Sequence, residues 1–305
     1  MTKREKFGKI LIPMITPYKK NEEVNYETYA KLVEYLISHK CCDSLIVTGT
    51  TGEASLLTFA ERVKLMKVAF ETAEGRVPVI AGVGCASTCE TIALTKEAEE
   101  IGYDTVMVVV PFYNKPTQEG VYQHFKKVAE STSCDVILYN IPIFVGINLE
   151  PETVGRLASI KNIIGVKDEA GINPTQITDF FLITKDIDPD FLVYNGDDIM
   201  LLPTIIQGAM GVVSGNAHIF GDEIRAIFDS YQKGNPDEAK KHFIPMYRVC
   251  KAAGQNGRIL PNPIMRHAIS MITGIDLGES RLPLVPPTKE ELEVMKLELR
   301  KAGKI

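Results

Sequence analysis

Lys167 is the residue whose position in the sequence most directly suggests chemistry. It follows the apolar run from Ile163 to Val166, so its ammonium group lies where solvation is poor. Desolvation lowers the pKa of a lysine from about 10.4, and the resulting neutral amine attacks carbonyl carbons to form a Schiff base. The position alone leaves two interpretations open: a catalytic amine, or a lysine that extends to water or pairs with Asp168.

Polar residues also stand where other apolar runs end. They belong to five segments: Gly49-Thr50-Thr51-Gly52-Glu53, Pro111-Phe112-Tyr113-Asn114, Tyr139-Asn140, Asn195-Gly196-Asp197-Asp198 and Ser214-Gly215-Asn216. In the first segment, two glycines and two hydroxyl side chains could turn backbone amides toward a small carboxylate. A plain turn between a strand and a helix explains that segment equally well.

Several classes of function have little support in the sequence. The five histidines are scattered without metal-binding spacing, and no Gly-x-Ser-x-Gly motif indicates a serine nucleophile. A formal net charge of −5 without a basic block argues against nucleic acid or an anionic membrane surface as a partner. The apolar stretches are too short to cross a bilayer, and the N-terminal stretch does not have the pattern of a signal peptide. We expect the six cysteines to be free thiols and the protein to be cytoplasmic, without a metal.

Eight short runs rich in Val, Ile and Leu predict the elements that position these residues. They span 9–15, 44–48, 78–83, 105–110, 135–139, 162–167, 191–194 and 211–214. Continuous apolar runs are typical of parallel strands covered on both faces. With helix-like segments between most of them, they predict a (β/α)8 TIM barrel, whose active site lies at the carboxyl ends of the strands. A doubly wound open sheet is the alternative, but the first run ends in Ile15-Thr16-Pro17 without phosphate-binding glycines.

Helix-start signals complete this organisation. Thr58, Ser87 and Thr288 each precede a glutamate by three residues, which is the pattern of a capping box. Asn173–Pro174 predicts a further helix start. From Gly221 onward the strand-like runs stop, and helices are predicted over 222–233, 237–253, 263–272 and 288–302. The sequence therefore predicts a barrel over 1–220 that carries the active site and a C-terminal helical appendage over 221–305.

Taken together, these segments resemble the dihydrodipicolinate synthase / N-acetylneuraminate lyase family. The similarity is collinear along nearly the whole chain and is closest overall to the synthases. It includes residues 49–53, 111–116, 138–142, 165–168, 196–198, 211–214, 262–264 and 281–284. Each motif alone is moderate evidence, whereas the ordered set is strong evidence for the resemblance.

The resemblance implies a class I pyruvate-dependent lyase with no cofactor. Lys167 would form an imine with pyruvate or a larger 2-oxo acid, and Tyr139 would be the general acid/base. Thr50 and Thr51 would hold the pyruvate carboxylate. Thr50 would also link Tyr139 to Tyr113, which the family donates from a neighbouring subunit, so a homodimer or homotetramer is expected. Further substrate-binding residues that the resemblance implies are Gly49, Gly196 and Val213.

Phe144 departs from the pattern of the lysine-pathway synthases. Those enzymes usually carry an arginine two positions after the proline of Tyr-Asn-x-Pro, where it binds the carboxylate of aspartate semialdehyde. Phe144 occupies this substrate-binding position here. The acceptor therefore stays open between the semialdehyde and the aldehydes of a 2-keto-3-deoxy sugar-acid aldolase or an N-acetylneuraminate lyase. A barrel that only binds a 2-oxo acid is a remote alternative, since it would not need to keep Lys167, Tyr139, Thr50 and Tyr113 together.

Overall fold

Eight parallel strands close into a barrel in the computed structural model, which describes residues 2–169, 173 and 175–305. Each strand pairs with the next one in the chain, and the last pairs with the first. Strands β1 to β8 are Ile10–Pro13, Ser44–Val47, Val79–Gly82, Thr105–Val109, Asp135–Asn140, Ile163–Asp168, Leu192–Asn195 and Gly211–Val213. The predicted TIM barrel is confirmed, and every strand starts within one residue of its predicted run.

Helices surround this barrel before β1, in the connections between strands and after β8. Helices α1 to α13 are Lys3–Phe7, Tyr26–Ser38, Phe59–Ala73, Thr88–Ile101, Gln118–Glu130, Pro142–Val145, Pro151–Ala158, Gln176–Thr184, Leu201–Ile206, Ala217–Gln232, Pro236–Ala253, Asn262–Thr273 and Lys289–Lys301. The capping boxes at Thr58 and Thr288 form in full. Ser87 accepts a hydrogen bond from the amide of Glu90, which is one half of the third box. The predicted helix start at Asn173–Pro174 includes Pro174, which lies outside the described residues, and α8 begins at Gln176.

The C-terminal helices cover one end of the barrel. Helix α10 packs against β1 and against α11, and its backbone departs from helical geometry at Phe220. The division between residues 220 and 221 thus falls at a kink inside a continuous helix, and the two-part organisation stays a prediction. Residues of α11 and α12 line a cavity at the carboxyl ends of the strands, so these helices close the mouth of the barrel.

No helix among residues 2–169, 173 and 175–305 is long and apolar enough to cross a membrane. The six cysteines are free thiols, as predicted.

Candidate active site

Lys167 lies at the carboxyl end of β6 and points into this cavity, whose volume is about 390 Å³. Successive residues of a strand point to opposite faces. Asp168 therefore points out of the barrel, where its Oδ1 accepts hydrogen bonds from Asn140 Nδ2 at 2.7 Å and Gln176 Nε2 at 3.0 Å. Lys167 itself is only 5 % exposed, and the acidic side chain within ion-pair distance of it is that of Glu169, at 3.8 Å, rather than that of Asp168. The alternative in which Lys167 pairs with Asp168 or extends to water is wrong.

Tyr139 stands beside Lys167 on the adjacent strand. The two residues are register partners of β5 and β6, which places Lys167 Nζ 3.9 Å from the centroid of the Tyr139 ring. The hydroxyl of Tyr139 lies 3.3 Å from Thr50 Oγ1, and both side chains line the cavity. The amine of Lys167, the phenol of Tyr139 and the hydroxyl of Thr50 therefore lie together in the wall of the cavity.

The protonation of Lys167 differs from the sequence prediction. Burial lowers the pKa of its ammonium group, but Tyr139, Glu169 and Asp198 raise that pKa by more than burial lowers it. The net pKa lies above the ordinary lysine value, and the prediction of a lowered pKa is wrong. The amine is consequently protonated at rest, so a proton must leave it before it can attack a carbonyl carbon.

Burial also raises the pKa of Tyr139 above its usual value. The phenol therefore keeps its proton at neutral pH and can donate it to an oxygen that becomes negative during a reaction.

The turn after β2 presents backbone amides to the cavity. Thr50 and Thr51 line the cavity, and their amides donate to no backbone or side-chain acceptor within the described part of the chain. Two hydrogen bonds to carbonyl groups fix the turn in place. Thr16 Oγ1 donates to the carbonyl of Gly52 at 2.6 Å, and Asn262 Nδ2 donates to that of Thr51 at 2.8 Å. These free amides are suited to bind a small carboxylate.

Glu53 anchors the same turn to the C-terminal helices. Its backbone is left-handed, with φ at 56°, and its side chain is fully buried. Its Oε1 accepts hydrogen bonds from Arg266 Nη2 at 2.7 Å, Ser280 Oγ at 2.8 Å and Asn262 Nδ2 at 3.1 Å. The ion pair with Arg266 thus fixes the turn against α12, and a buried pair of this kind is expensive to break.

The other predicted site residues lie in three different places. Phe144, Gly196 and Val213 line the cavity with Lys167. Gly49 lines a neighbouring cavity of about 240 Å³ that shares Thr50, Tyr139 and Phe144 with the first, so the predicted contact of Gly49 with substrate stays a prediction. Tyr113 is 90 % exposed and lies outside the residues that line either cavity.

Sequence reasoning missed two residues of the site. Glu169 follows Lys167 by two positions, and the period of two along a strand would have placed both on one face. Asn262, which holds Thr51 and Glu53, was noted only as part of a motif. Asn262 contacts a turn more than 200 residues away in the chain, so the sequence around it contains no pattern that predicts this contact.

Comparisons with known proteins agree on one family. The model of the Dihydrodipicolinate synthetase family matches residues 6–302. The 4-hydroxy-tetrahydrodipicolinate synthase of Desulforudis audaxviator (strain MP104C) is 40% identical over 296 residues, which is 97% of this chain and 98% of that protein. The crystal structure of a dihydrodipicolinate synthase from Bacillus anthracis has a TM-score of 0.90 at 40% identity, covering 96% of this chain and 98% of its own. A chloride-inhibited dihydrodipicolinate synthase from Acinetobacter baumannii, complexed with pyruvate, has a TM-score of 0.88 at 33% identity, covering 98% of this chain and 100% of its own.

Proposed function

The chain belongs to the dihydrodipicolinate synthetase family, and on this premise we propose that Lys167 is the nucleophile of its reaction. The enzyme is a carbon–carbon lyase of the class I aldolase type, which joins the methyl carbon of pyruvate to an aldehyde or reverses that step. One observation carries the assignment: the buried amine of Lys167 lies 3.9 Å from the ring of Tyr139, whose hydroxyl is 3.3 Å from that of Thr50.

The reaction begins with imine formation. Lys167 gives up a proton, its nitrogen attacks the carbonyl carbon of pyruvate, and loss of water leaves a protonated imine. Removal of a proton from the methyl group moves its electron pair toward the imine nitrogen and produces an enamine. The enamine carbon then attacks the aldehyde carbon, the aldehyde oxygen takes a proton, and water releases the product and restores the amine.

Tyr139 and the turn after β2 serve these steps. The phenol of Tyr139 donates and recovers protons at the carbinolamine and at the aldehyde oxygen, with Thr50 as its hydrogen-bond partner. The amides of Thr50 and Thr51 bind the carboxylate of pyruvate and hold its carbonyl carbon against Lys167.

Exchange of the pyruvate methyl protons tests this proposal without an acceptor. Because enamine formation removes a methyl proton reversibly, we expect the enzyme to exchange these protons for deuterium in heavy water. Proton NMR would follow the loss of the methyl signal, with enzyme-free buffer containing lysine as the control. An exchange rate no higher than in that buffer would contradict the proposal.

Phe144 bears on the choice of acceptor. A charged hydrogen bond from an arginine contributes roughly 1.5–3 kcal/mol, and an apolar ring leaves a partly buried carboxylate unpaired. Lys115 is the nearby cation that would have to replace the arginine, yet it is exposed, lies beside Gly146 and is outside the residues that line the cavity. We therefore propose that aspartate semialdehyde is a poor acceptor for this enzyme.

Phe144→Arg is expected to raise kcat/KM for aspartate semialdehyde by about tenfold or more, because it restores a bidentate partner for the carboxylate. Steady-state condensation with pyruvate measures this, and Phe144→Leu, which stays uncharged, is the matched control. Efficient use of the semialdehyde by the unmodified enzyme, together with an unchanged rate in Phe144→Arg, would show that the proposal is wrong.

The exposed position of Tyr113 bears on the oligomeric state of the enzyme. We propose a homodimer or homotetramer in which Tyr113 enters the site of a neighbouring subunit, as its 90 % exposure and left-handed backbone are consistent with a side chain held outward. Sedimentation at assay concentration should show at least a dimer, and Tyr113→Phe should lower kcat about tenfold without dissociating it. A fully active monomer would contradict this prediction.

The free thiols and the net charge of −5 support a cytoplasmic location with small molecules rather than nucleic acid as partners.

A further inference from the structure

Three carboxylates form the wall of the cavity next to Lys167. Glu169 Oε2 lies 3.8 Å from Lys167 Nζ, and Asp197 and Asp198 line the same cavity. Gly196 leaves room for this arrangement, because a Cβ there would come within 2.5 Å of Lys167 Cε and 2.9 Å of Glu169 Oε2. An aldehyde that reacts beside Lys167 therefore meets these carboxylates.

The carboxylates of this wall have few hydrogen-bond donors. Asp198 Oδ2 accepts from the amide and the side chain of Asn216 at 3.0 and 2.7 Å, whereas its buried Oδ1 has no partner among the described residues. Burial, together with the neighbouring carboxylates and against the opposing effect of Lys167, raises the pKa of Glu169 to about 8 and that of Asp197 to about 6. A ligand that donates hydrogen bonds would satisfy these oxygens, whereas another anion would increase the repulsion.

The cavity also lacks a free cation in the part of the chain that the structure describes. Lys167 and Arg258 are its basic lining residues, and Lys167 is committed to the imine. Arg258 donates from Nε and Nη2 to the two carboxylate oxygens of Glu291, each at 2.9 Å. It also donates to the carbonyls of Val285 and Pro286. A carboxylate on the acceptor would therefore face three acidic side chains without a partner of its own.

We propose that Glu169, together with Asp197 and Asp198, selects an acceptor aldehyde that carries hydroxyl groups and no carboxylate. This inference rests on the proposed function, and it names the substrate class of that site. An ammonium group could also donate to the wall, but an amino-acid semialdehyde brings a carboxylate with it. Condensation gives a polyhydroxylated 2-oxo acid, in which the aldehyde oxygen becomes the hydroxyl at the fourth carbon, and cleavage of such an acid is the reverse reaction.

Three aldehydes of different chemistry test the proposal with the full-length enzyme. Condensation with pyruvate is measured for D-glyceraldehyde, propanal and succinic semialdehyde at a pH well above the pKa of Glu169, which is about 8, so that its carboxyl group is ionised. Dividing each kcat/KM by that of propanal cancels effects on imine formation. The unmodified enzyme should prefer glyceraldehyde to propanal and propanal to succinic semialdehyde, by about tenfold or more at each step. The hydroxyl groups of glyceraldehyde gain charged hydrogen bonds, whereas the carboxylate of succinic semialdehyde is left unpaired beside like charges.

Glu169→Ala should move the two ratios in opposite directions. We expect the ratio for glyceraldehyde to fall about tenfold and the ratio for succinic semialdehyde to rise, which a general loss of folding cannot produce. Glu152→Ala, which removes an exposed carboxylate of α7, is the control and should change neither ratio. Unchanged ratios in Glu169→Ala, or a preference of the unmodified enzyme for succinic semialdehyde, would overturn the inference. Absence of methyl-proton exchange with the unmodified enzyme would instead refute the proposed function itself.

Discussion

Lys167→Ala is expected to abolish the pyruvate adduct and to lower kcat by at least about four orders of magnitude. Without the amine, no imine forms, and the methyl group of pyruvate has no electron sink to stabilise its carbanion. Borohydride reduces the imine to a stable secondary amine, so mass spectrometry of the enzyme treated with pyruvate and borohydride measures the adduct directly. The unmodified enzyme should gain one reduced pyruvyl group per chain, on the peptide that contains Lys167.

Lys115→Ala supplies the matched control for this experiment. Lys115 is exposed and lies outside the cavity, so its loss should leave labelling intact. Lys167→Arg keeps a positive charge but cannot form the imine, which separates the loss of the nucleophile from the loss of charge. Labelling that persists in Lys167→Ala would mean that another amine reacts and that the mechanism is wrong.

The barrel could be predicted from the sequence because its strands are local patterns. A strand covered on both faces must be apolar at nearly every position, and β6 is buried along its whole length. The position of Lys167 at the end of such a run also placed it at the catalytic face of the barrel. The fold and the position of Lys167 therefore depend on signals that lie within a few residues of each other.

The electrostatics of Lys167 could not be predicted in the same way. Its raised pKa depends on Tyr139 of the adjacent strand, on Glu169, and on Asp198, which is on the connection that follows the next strand. Burial, which the apolar run indicated, acts in the opposite direction. The pKa of a group depends on all its neighbours in space. The apolar run before Lys167 alone therefore predicted a pKa shift in the wrong direction.

The contacts that support the turn after β2 could not be predicted from the sequence either. Glu53 and Arg266 form a fully buried ion pair, and they lie on β2's connection and on α12 at opposite ends of the chain. Neither residue has a pattern around it that predicts burial, since charged side chains are rarely buried unless paired. Only the folded chain shows that the C-terminal helices hold the turn after β2 in place.

Tyr139→Phe is expected to lower kcat by about two to three orders of magnitude while Lys167 can still be trapped with pyruvate and borohydride, although more slowly. The substitution removes one hydroxyl and keeps the ring that packs 3.9 Å from Lys167 Nζ. Because burial raises the pKa of this phenol, its hydroxyl is the protonated donor available for the carbinolamine and the aldehyde oxygen. Steady-state condensation and methyl-proton exchange, measured side by side, would show which proton transfer suffers more.

Tyr194→Phe is a demanding control for this effect, because Tyr194 is the register partner of Lys167 on the opposite side, in β7. Its hydroxyl donates to the carbonyl of Gly8, so it is occupied at the amino end of the barrel rather than at the cavity. Losing that hydrogen bond should reduce stability by about 1 kcal/mol and leave kcat within about twofold. If Tyr139→Phe behaves like Tyr194→Phe, the phenol of Tyr139 is only a packing group, and proton transfer must pass through Thr50 or Glu169 instead.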